Sequence, residues 1–421
     1  MKKSIKLISI IMTLVIVTSM HTLLVQFVNA EKIEIGSNIE SDKYIEDIPF
    51  DVDDYEFISD SNNSLKNTIT TFSTVNFDQE EVQPQEFVTA RATRVYDIEL
   101  PSNRGMVIQK CYVGTSYLYT TQCANDSTDI YISRCKINGK KAIYVDSMTL
   151  KNFGHNQILE FYSHNNKTYV WVGCRPNPDA FEDGNGQKYY PHYTTMIGRI
   201  QYKPRTTISS YFKIGTIGAL NCGNTSGRPF EVLRAEDREK YSHVIKRIDA
   251  AMSSDKSQIV IATWSIYGNI QYSYFDNEVL NDILDEVEDS DSKNISCLGN
   301  KTIQNACTFS CVQKYGSRVL PNKSCQGIDL TNAGSIYISG GKGEKSSKGY
   351  VMYPKIGKMV MNSFGGYTYT RCVKLLNTIE TERPEIEGVQ IKGDLLYFVL
   401  DTKTAGTNHY LFSLDKNLLS S

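Results

Sequence analysis

Five stretches of this chain repeat one local design, and that repetition restricts the fold more than any other feature. They read MVIQKCYVGTSYLYTTQ, QILEFYSHNNKTYVWVG, DAAMSSDKSQIVIATW, QGIDLTNAGSIYISGG and EGVQIKGDLLYFVLD, aligned on Leu118, Val170, Val260, Tyr337 and Tyr397. Each has a short first strand, a turn rich in Gly, Asn, Asp, Ser or Lys, and a strongly apolar second strand. The separations between centres run from 52 to 90 residues. The shortest suit a four-stranded propeller blade, and the longer ones leave room for insertions. The pattern predicts an all-β fold, a five-bladed β-propeller-like body, because radial repetition leaves only short sheet edges. A β-sandwich gives similar local signals and is the alternative; the repeated order of hairpin and turn favours the propeller. One helix is expected to interrupt the strands: DNEVLNDILDEVED (276–289) puts Val279, Leu280, Ile283, Leu284 and Val287 on one face, with Asp276 or Asn277 as its cap.

The N-terminal region reads differently. Lys2, Lys3 and Lys6 precede an apolar run, and Val28-Asn29-Ala30 has the form of a cleavage site. Residues 1–30 are therefore expected to be a signal peptide, with an uncleaved anchor as the alternative. Cleavage would leave no integral membrane domain and a secreted, extracellular chain. Residues 31–90 carry 15 Asp and Glu against three Lys, whereas 91–421 carry 39 Lys and Arg against 32 Asp and Glu. The first segment is expected to be a largely disordered acidic linker or pro-segment. The second is the expected β-propeller domain.

All ten cysteines fall in the exported portion, which in an oxidising exterior predicts disulfide bonds without fixing their connectivity. No CxxC pair occurs and no His lies near Cys307 and Cys311, so no metal site is expected from their spacing. Nor is a cofactor expected.

Several of these same segments resemble the helveticin J family of large bacteriocins. The likeness is carried by VIQKCYVGTSYLY (107–119), GHNQILEF (154–161), YVWVGCRPN (169–177), IDAAMSSDKSQIVIAT (248–263), IQYSYFDNEVLNDILDEVED (270–289), CQGIDLTNAGSIYIS (325–339) and EIEGVQIKGDLLYFVL (385–400). It runs in order across residues 95 to 412. The resemblance implies a secreted antibacterial protein with a propeller-like body, active at the envelope of related bacteria.

No catalytic signature accompanies it. Ser-His-Asp order, HExxH, GxSxG and P-loop patterns are absent from the sequence, and no nucleic-acid motif occurs. SGGKGEKSSKG (339–349) lacks P-loop spacing and reads as a basic loop, whose Lys342, Lys345 and Lys348 would attract anionic envelope polymers such as teichoic acid. The first strands carry acids and amides at comparable places: Gln109, Gln157, Glu160, Asp249, Gln326, Asp329, Glu387 and Gln390. In a propeller these line the central channel. Such a ring either grips sugar hydroxyls or satisfies buried backbone groups. A paired-carboxylate hydrolase would need two of these acids across one bond, such as Glu160 with Asp249 or Glu387. His155 sits beside a first strand as either an acid–base group or a hydrogen-bonded loop residue. DGNGQKYYPHY (183–193) offers Tyr189, Tyr190, His192 and Tyr193 as a loop for stacking on envelope glycan. A non-lethal adhesin and a cell-wall hydrolase are the rival functions. The envelope receptor itself is not legible.

Overall fold

Each of the five aligned segments is a hairpin, and each hairpin opens a four-stranded antiparallel group. A computed structural model describes residues 87–420 apart from positions 105, 125–127, 183–185, 315, 317–319, 342–343, 347–348, 362–366, 377–383 and 403–408. The expected signal peptide, residues 31–86 of the acidic segment, Lys342 and Lys348 lie outside the described residues.

The first group contains Ile108–Val113, Tyr117–Cys123, Ile130–Asn138 and Lys141–Leu150, paired in sequence order. The second contains Glu160–His164, Lys167–Pro176, Thr194–Ile200 and Gly215–Gly218. The third contains Ile245–Met252, Gln258–Ser265, Ile270–Asp276 and Cys307–Gln313. The fourth contains Gly327–Leu330, Ile336–Gly340, Lys355–Met361 and Tyr367–Leu375. The fifth takes Pro384–Lys392, Leu395–Thr402 and His409–Asp415 from the C-terminal end and Thr93–Glu99 from the beginning of the body. Thr93–Glu99 also pairs in parallel with Lys141–Leu150, joining the fifth group to the first. One sheet thus ties together strands separated by almost the whole described chain.

The apolar side chains lie between the groups. Trp171 and Ile197 of the second group pack with Ile248 and Ile261 of the third. Val260 and Tyr272 of the third meet Ile328 and Ile338 of the fourth. Tyr337 and Val373 of the fourth share a core with Val389 and Phe398 of the fifth. Val399 and Leu411 of the fifth pack with Ile108 and Leu118 of the first. Phe161 of the second closes against Tyr112 and Tyr119 of the first, with ring centroids 4.9 and 4.5 Å apart. Each sheet buries both faces, so adjacent residues such as Phe398 and Val399 serve different cores. That explains the near-continuous apolar second strands. The body is all-β and propeller-like, as the repeats predicted.

The expected helix spans Asn277–Asp285. Asp276 caps it, its side chain accepting from the backbone N–H groups of Glu278 and Val279. Leu280, Ile283 and Leu284 are buried, and Val279 and Val287 pack against the same core. The α-helix ends earlier than the sequence pattern implied: Val287 N–H bonds to the Leu284 carbonyl and Glu288 N–H to the Asp285 carbonyl, so the chain passes into tighter turns there.

The cysteines depart from expectation. All ten are buried with free thiols, so the predicted disulfides are not formed in this structure. They fill the cores as small apolar side chains. Burial pushes the Cys135, Cys307, Cys311 and Cys325 thiols up to about 12.

First strands of neighbouring groups approach with little room for side chains. A Cβ on Gly327 would fall 2.6 Å from Gly388 Cα, and one on Gly388 would fall 2.8 Å from Lys110 Cβ and 2.9 Å from the Gln109 carbonyl oxygen. Gly327→Ala should therefore cost about 1–3 kcal/mol through overpacking. Urea denaturation checks this; an unchanged midpoint would contradict the close approach.

Candidate functional site

The first strands bring polar and charged side chains together where the groups converge. Two tiers can be followed residue by residue. Near the starts of these strands, His155 Nε2 lies 2.6 Å from Gln109 Oε1. Gln157 Nε2 donates to Gln109 Oε1 at 3.4 Å and to Gln326 Oε1 at 3.2 Å. Gln326 Nε2 donates to Glu385 Oε1 at 2.8 Å. Arg247 donates to Gln157 Oε1 and, at 3.0 Å, to the Cys325 carbonyl oxygen. The chain of contacts therefore touches all five groups.

Further along the strands the chemistry turns ionic. Lys110 Nζ is 2.6 Å from Glu160 Oε1 and donates to the Ile328 carbonyl oxygen at 3.1 Å. Only 1% of the Lys110 side chain and 4% of the Glu160 side chain is exposed. Lys256 reaches Glu160 Oε2 at 3.6 Å from a neighbouring turn. Arg247 lies 3.7 Å from Asp249. Asp249 and Asp329 also accept from the backbone N–H groups of Ala250 and Leu330, each at 2.8 Å. Asp329 accepts from Ile391 N–H of the fifth group as well.

Burial and charge compete at every ionisable group here. Burial alone would depress Lys110, but the Glu160, Asp329 and Asp249 carboxylates overcome it and hold the ammonium above its ordinary value. Burial pushes Asp249 up to about 6, against Arg247 and Lys110. Burial and neighbouring Glu160 push Asp329 to about 7, against Lys110. Burial and the Arg247 charge drive His155 down to about 4, so its imidazole is neutral at pH 7.

The predicted channel residues are thus largely united. Gln109, Gln157 and Gln326 form the first tier, and Glu160, Asp249 and Asp329 belong to the second. Gln390 accepts from Val113 N–H at 2.7 Å and ties the fifth group to the first. Glu387 is buried on the same strand as Gln390. Of the acids named for paired-carboxylate chemistry, Glu160 is held by two lysines.

The aromatic loop reaches the first tier through Tyr193. Tyr193 pairs with His155 in an isolated bridge, and their rings lie 5.4 Å apart. Arg247 is sandwiched between Tyr193 and Trp264, 5.0 and 4.9 Å from the ring centroids. Its Nε is buried and makes no hydrogen bond. Tyr190 stacks on His192 at 6.1 Å and is 59% exposed, while Tyr189 packs near Phe181. Lys345 falls in the short strand Glu344–Ser346.

Sequence reasoning missed Lys110, Arg247, Lys256 and Glu385. The available signal was a basic residue interrupting an apolar first strand, as in VIQKCYV and VIKRIDAAM. Apart from Asp249, two residues from Arg247 on the same strand, the partners lie in other groups, so those pairings had no local trace.

A family model described as "Bacteriocin helveticin-J" matches residues 88–404. A search of curated proteins finds no match. Among solved structures, a Lactobacillus plantarum protein matches at 10% identity and TM-score 0.26, covering 78% of this chain and 73% of that one. A putative glycoside hydrolase from Bacteroides ovatus matches at 7% identity and TM-score 0.34, covering 75% and 89%. The Penicillium chrysogenum alpha-L-arabinanase matches at 10% identity and TM-score 0.31, covering 72% of each chain. Superpositions this loose carry no argument about activity. Among the described residues no helix is long and apolar enough to cross a membrane.

Two predictions test the site. Lys110→Met should cost roughly 3–5 kcal/mol by leaving Glu160 buried without its closest cation, and adding Glu160→Gln should recover part of that loss. Denaturation of the single and double variants checks this; independent, additive losses would contradict the pairing. The second concerns pH. An Asp raised from about 4 unfolded to about 7 folded stabilises the native state at low pH, and that contribution disappears as pH rises through 7. Asp329→Asn should therefore remove a fall of on the order of 1 kcal/mol between pH 6.5 and 8. Parallel slopes for variant and parent would contradict it.

Proposed function

Because the chain belongs to the helveticin J family, we propose that it is a secreted bacteriocin-like protein acting at the envelope of related bacteria. The match over residues 88–404 carries this reading. Docking is assigned to the first tier and its aromatic loop, on a body read as a five-bladed propeller. Envelope glycan is the favoured ligand class there. Amide groups from Gln109, Gln157 and Gln326 can exchange hydrogen bonds with hydroxyls, and the exposed Tyr190 ring offers a stacking face. The lysine and arginine surplus of residues 91–421 favours approach to anionic wall polymers.

The test uses the chain from residue 31 on a panel of Gram-positive cells. Viability, dye entry and pelleted protein are followed together. Death and dye entry in a few related species are expected. Tyr190→Ala should weaken cell binding by about 3- to 10-fold, the equivalent of about 0.5–1.5 kcal/mol of lost stacking. Binding with full viability would replace the bacteriocin reading with a non-lethal adhesin. Release of reducing sugar from peptidoglycan would favour a wall hydrolase instead.

A further inference from the structure

A second chemical cluster lies away from the convergence of the first strands. His164 ends the first strand of the second group, just before a turn in which Asn165 and Asn166 both have positive φ, 48° and 60°. That turn projects beneath the helix Asn277–Asp285. Asp282 lies four residues after Glu278 and Asp285 three residues later again, so all three acids share one helix face.

The imidazole is enclosed by that face. None of the His164 side chain is exposed, whereas Asp285 is 31% and Asp282 62% exposed. His164 Nε2 lies 2.9 Å from Asp285 Oδ2 and 3.8 Å from Asp282 Oδ1. One ligand atom from each of these three residues falls within 4.8 Å of the others. Among the described residues, this is the one cluster of three His, Cys, Asp or Glu groups so arranged. On the other side of the ring, Nδ1 is buried, makes no hydrogen bond and faces Glu278 Oε2 at 3.3 Å.

We propose that His164, Asp282 and Asp285 form a site for a divalent transition metal of the zinc class, with Glu278 orienting the imidazole. A tetrahedral centre with bonds of about 2.0–2.1 Å has edges of about 3.3 Å. The 2.9 and 3.8 Å separations bracket that edge, and the Asp282 and Asp285 oxygens, within 4.8 Å of each other, would close onto the ion. Metal on Nε2 places the proton on Nδ1, where the Glu278 carboxylate can accept it; a carboxylate behind a ligating His is the usual supporting arrangement. Two carboxylates and a neutral imidazole match a divalent charge, and the exposed side leaves a position for water.

The neighbouring groups set the competition. Asn165 Nδ2 donates to Asp285 Oδ2 at 3.1 Å and would give up that bond to the metal. Arg199 holds the other oxygen, Oδ1, at 2.5 Å and can remain there. Its positive charge opposes the ion and limits the affinity. Bound metal would fasten the helix to the hairpin turn of the second group. The three residues lie up to 121 positions apart in sequence, so no ligand-spacing motif announces them.

Titration calorimetry with zinc chloride at pH 7.5 tests the proposal, alongside thermal unfolding with and without the ion. One equivalent is expected to bind and to raise the midpoint. Asp282→Asn changes an exposed helix position, so its fold should survive, as circular dichroism would check. It should weaken binding at least tenfold, and Glu278→Gln should weaken it about tenfold. Lowering the pH to 5.5 should also weaken binding, because the ligating nitrogen must be unprotonated. Absence of binding would overturn the proposal. Equal binding by the parent and Asp282→Asn would overturn it too, by placing the ion elsewhere.

Discussion

The buried ion pair between Lys110 and Glu160 is the contact on which the convergence of the sheets depends. Five apolar strand groups can pack face to face on hydrophobic burial alone, but their first strands must meet somewhere. Gly327 and Gly388 let backbones approach there. The remaining space is filled by charges that offset one another: Lys110, Arg247 and Lys256 against Glu160, Asp249 and Asp329. Burying any one alone would be costly; burying them together, with backbone hydrogen bonds at Asp249 and Asp329, links residues from different groups.

This arrangement also divides structural from binding chemistry. In the ionic tier the charges are paired with one another and with nearby backbone groups. The tier beside it is built from amides, a neutral His155 and an Arg247 held between two rings, and it connects through Tyr193 to exposed aromatics. Those groups are suited to recognition of a polar ligand. Family membership supplies the biological setting, and the proposed docking role rests on this division.

The architecture was legible because it repeats. Five hairpins with apolar second strands needed only period and turn chemistry to be found, and the helix at 277–285 showed its apolar face and its Asp276 cap. The union of the fifth group with Thr93–Glu99 left no such trace, since a strand near the start of the body pairs with one near its end. At the site, the amides and acids could be picked from their equivalent places in the repeats. Lys110 and Arg247 could not, because a basic residue within an apolar strand gains most of its meaning from carboxylates and amides brought in by other groups. The cysteines misled for a related reason: an even count in a chain read as exported favoured cross-links, but pairing depends on geometry, and here all ten thiols are buried and free.

Amide hydrogen exchange of the chain from residue 31, with and without purified wall glycan from a sensitive strain, tests the central claim most directly. The account predicts added protection at 153–160, 186–193 and 245–249, around the amide tier and its aromatic loop. Protection confined to the outer strands of the groups, with those segments unchanged, would contradict it.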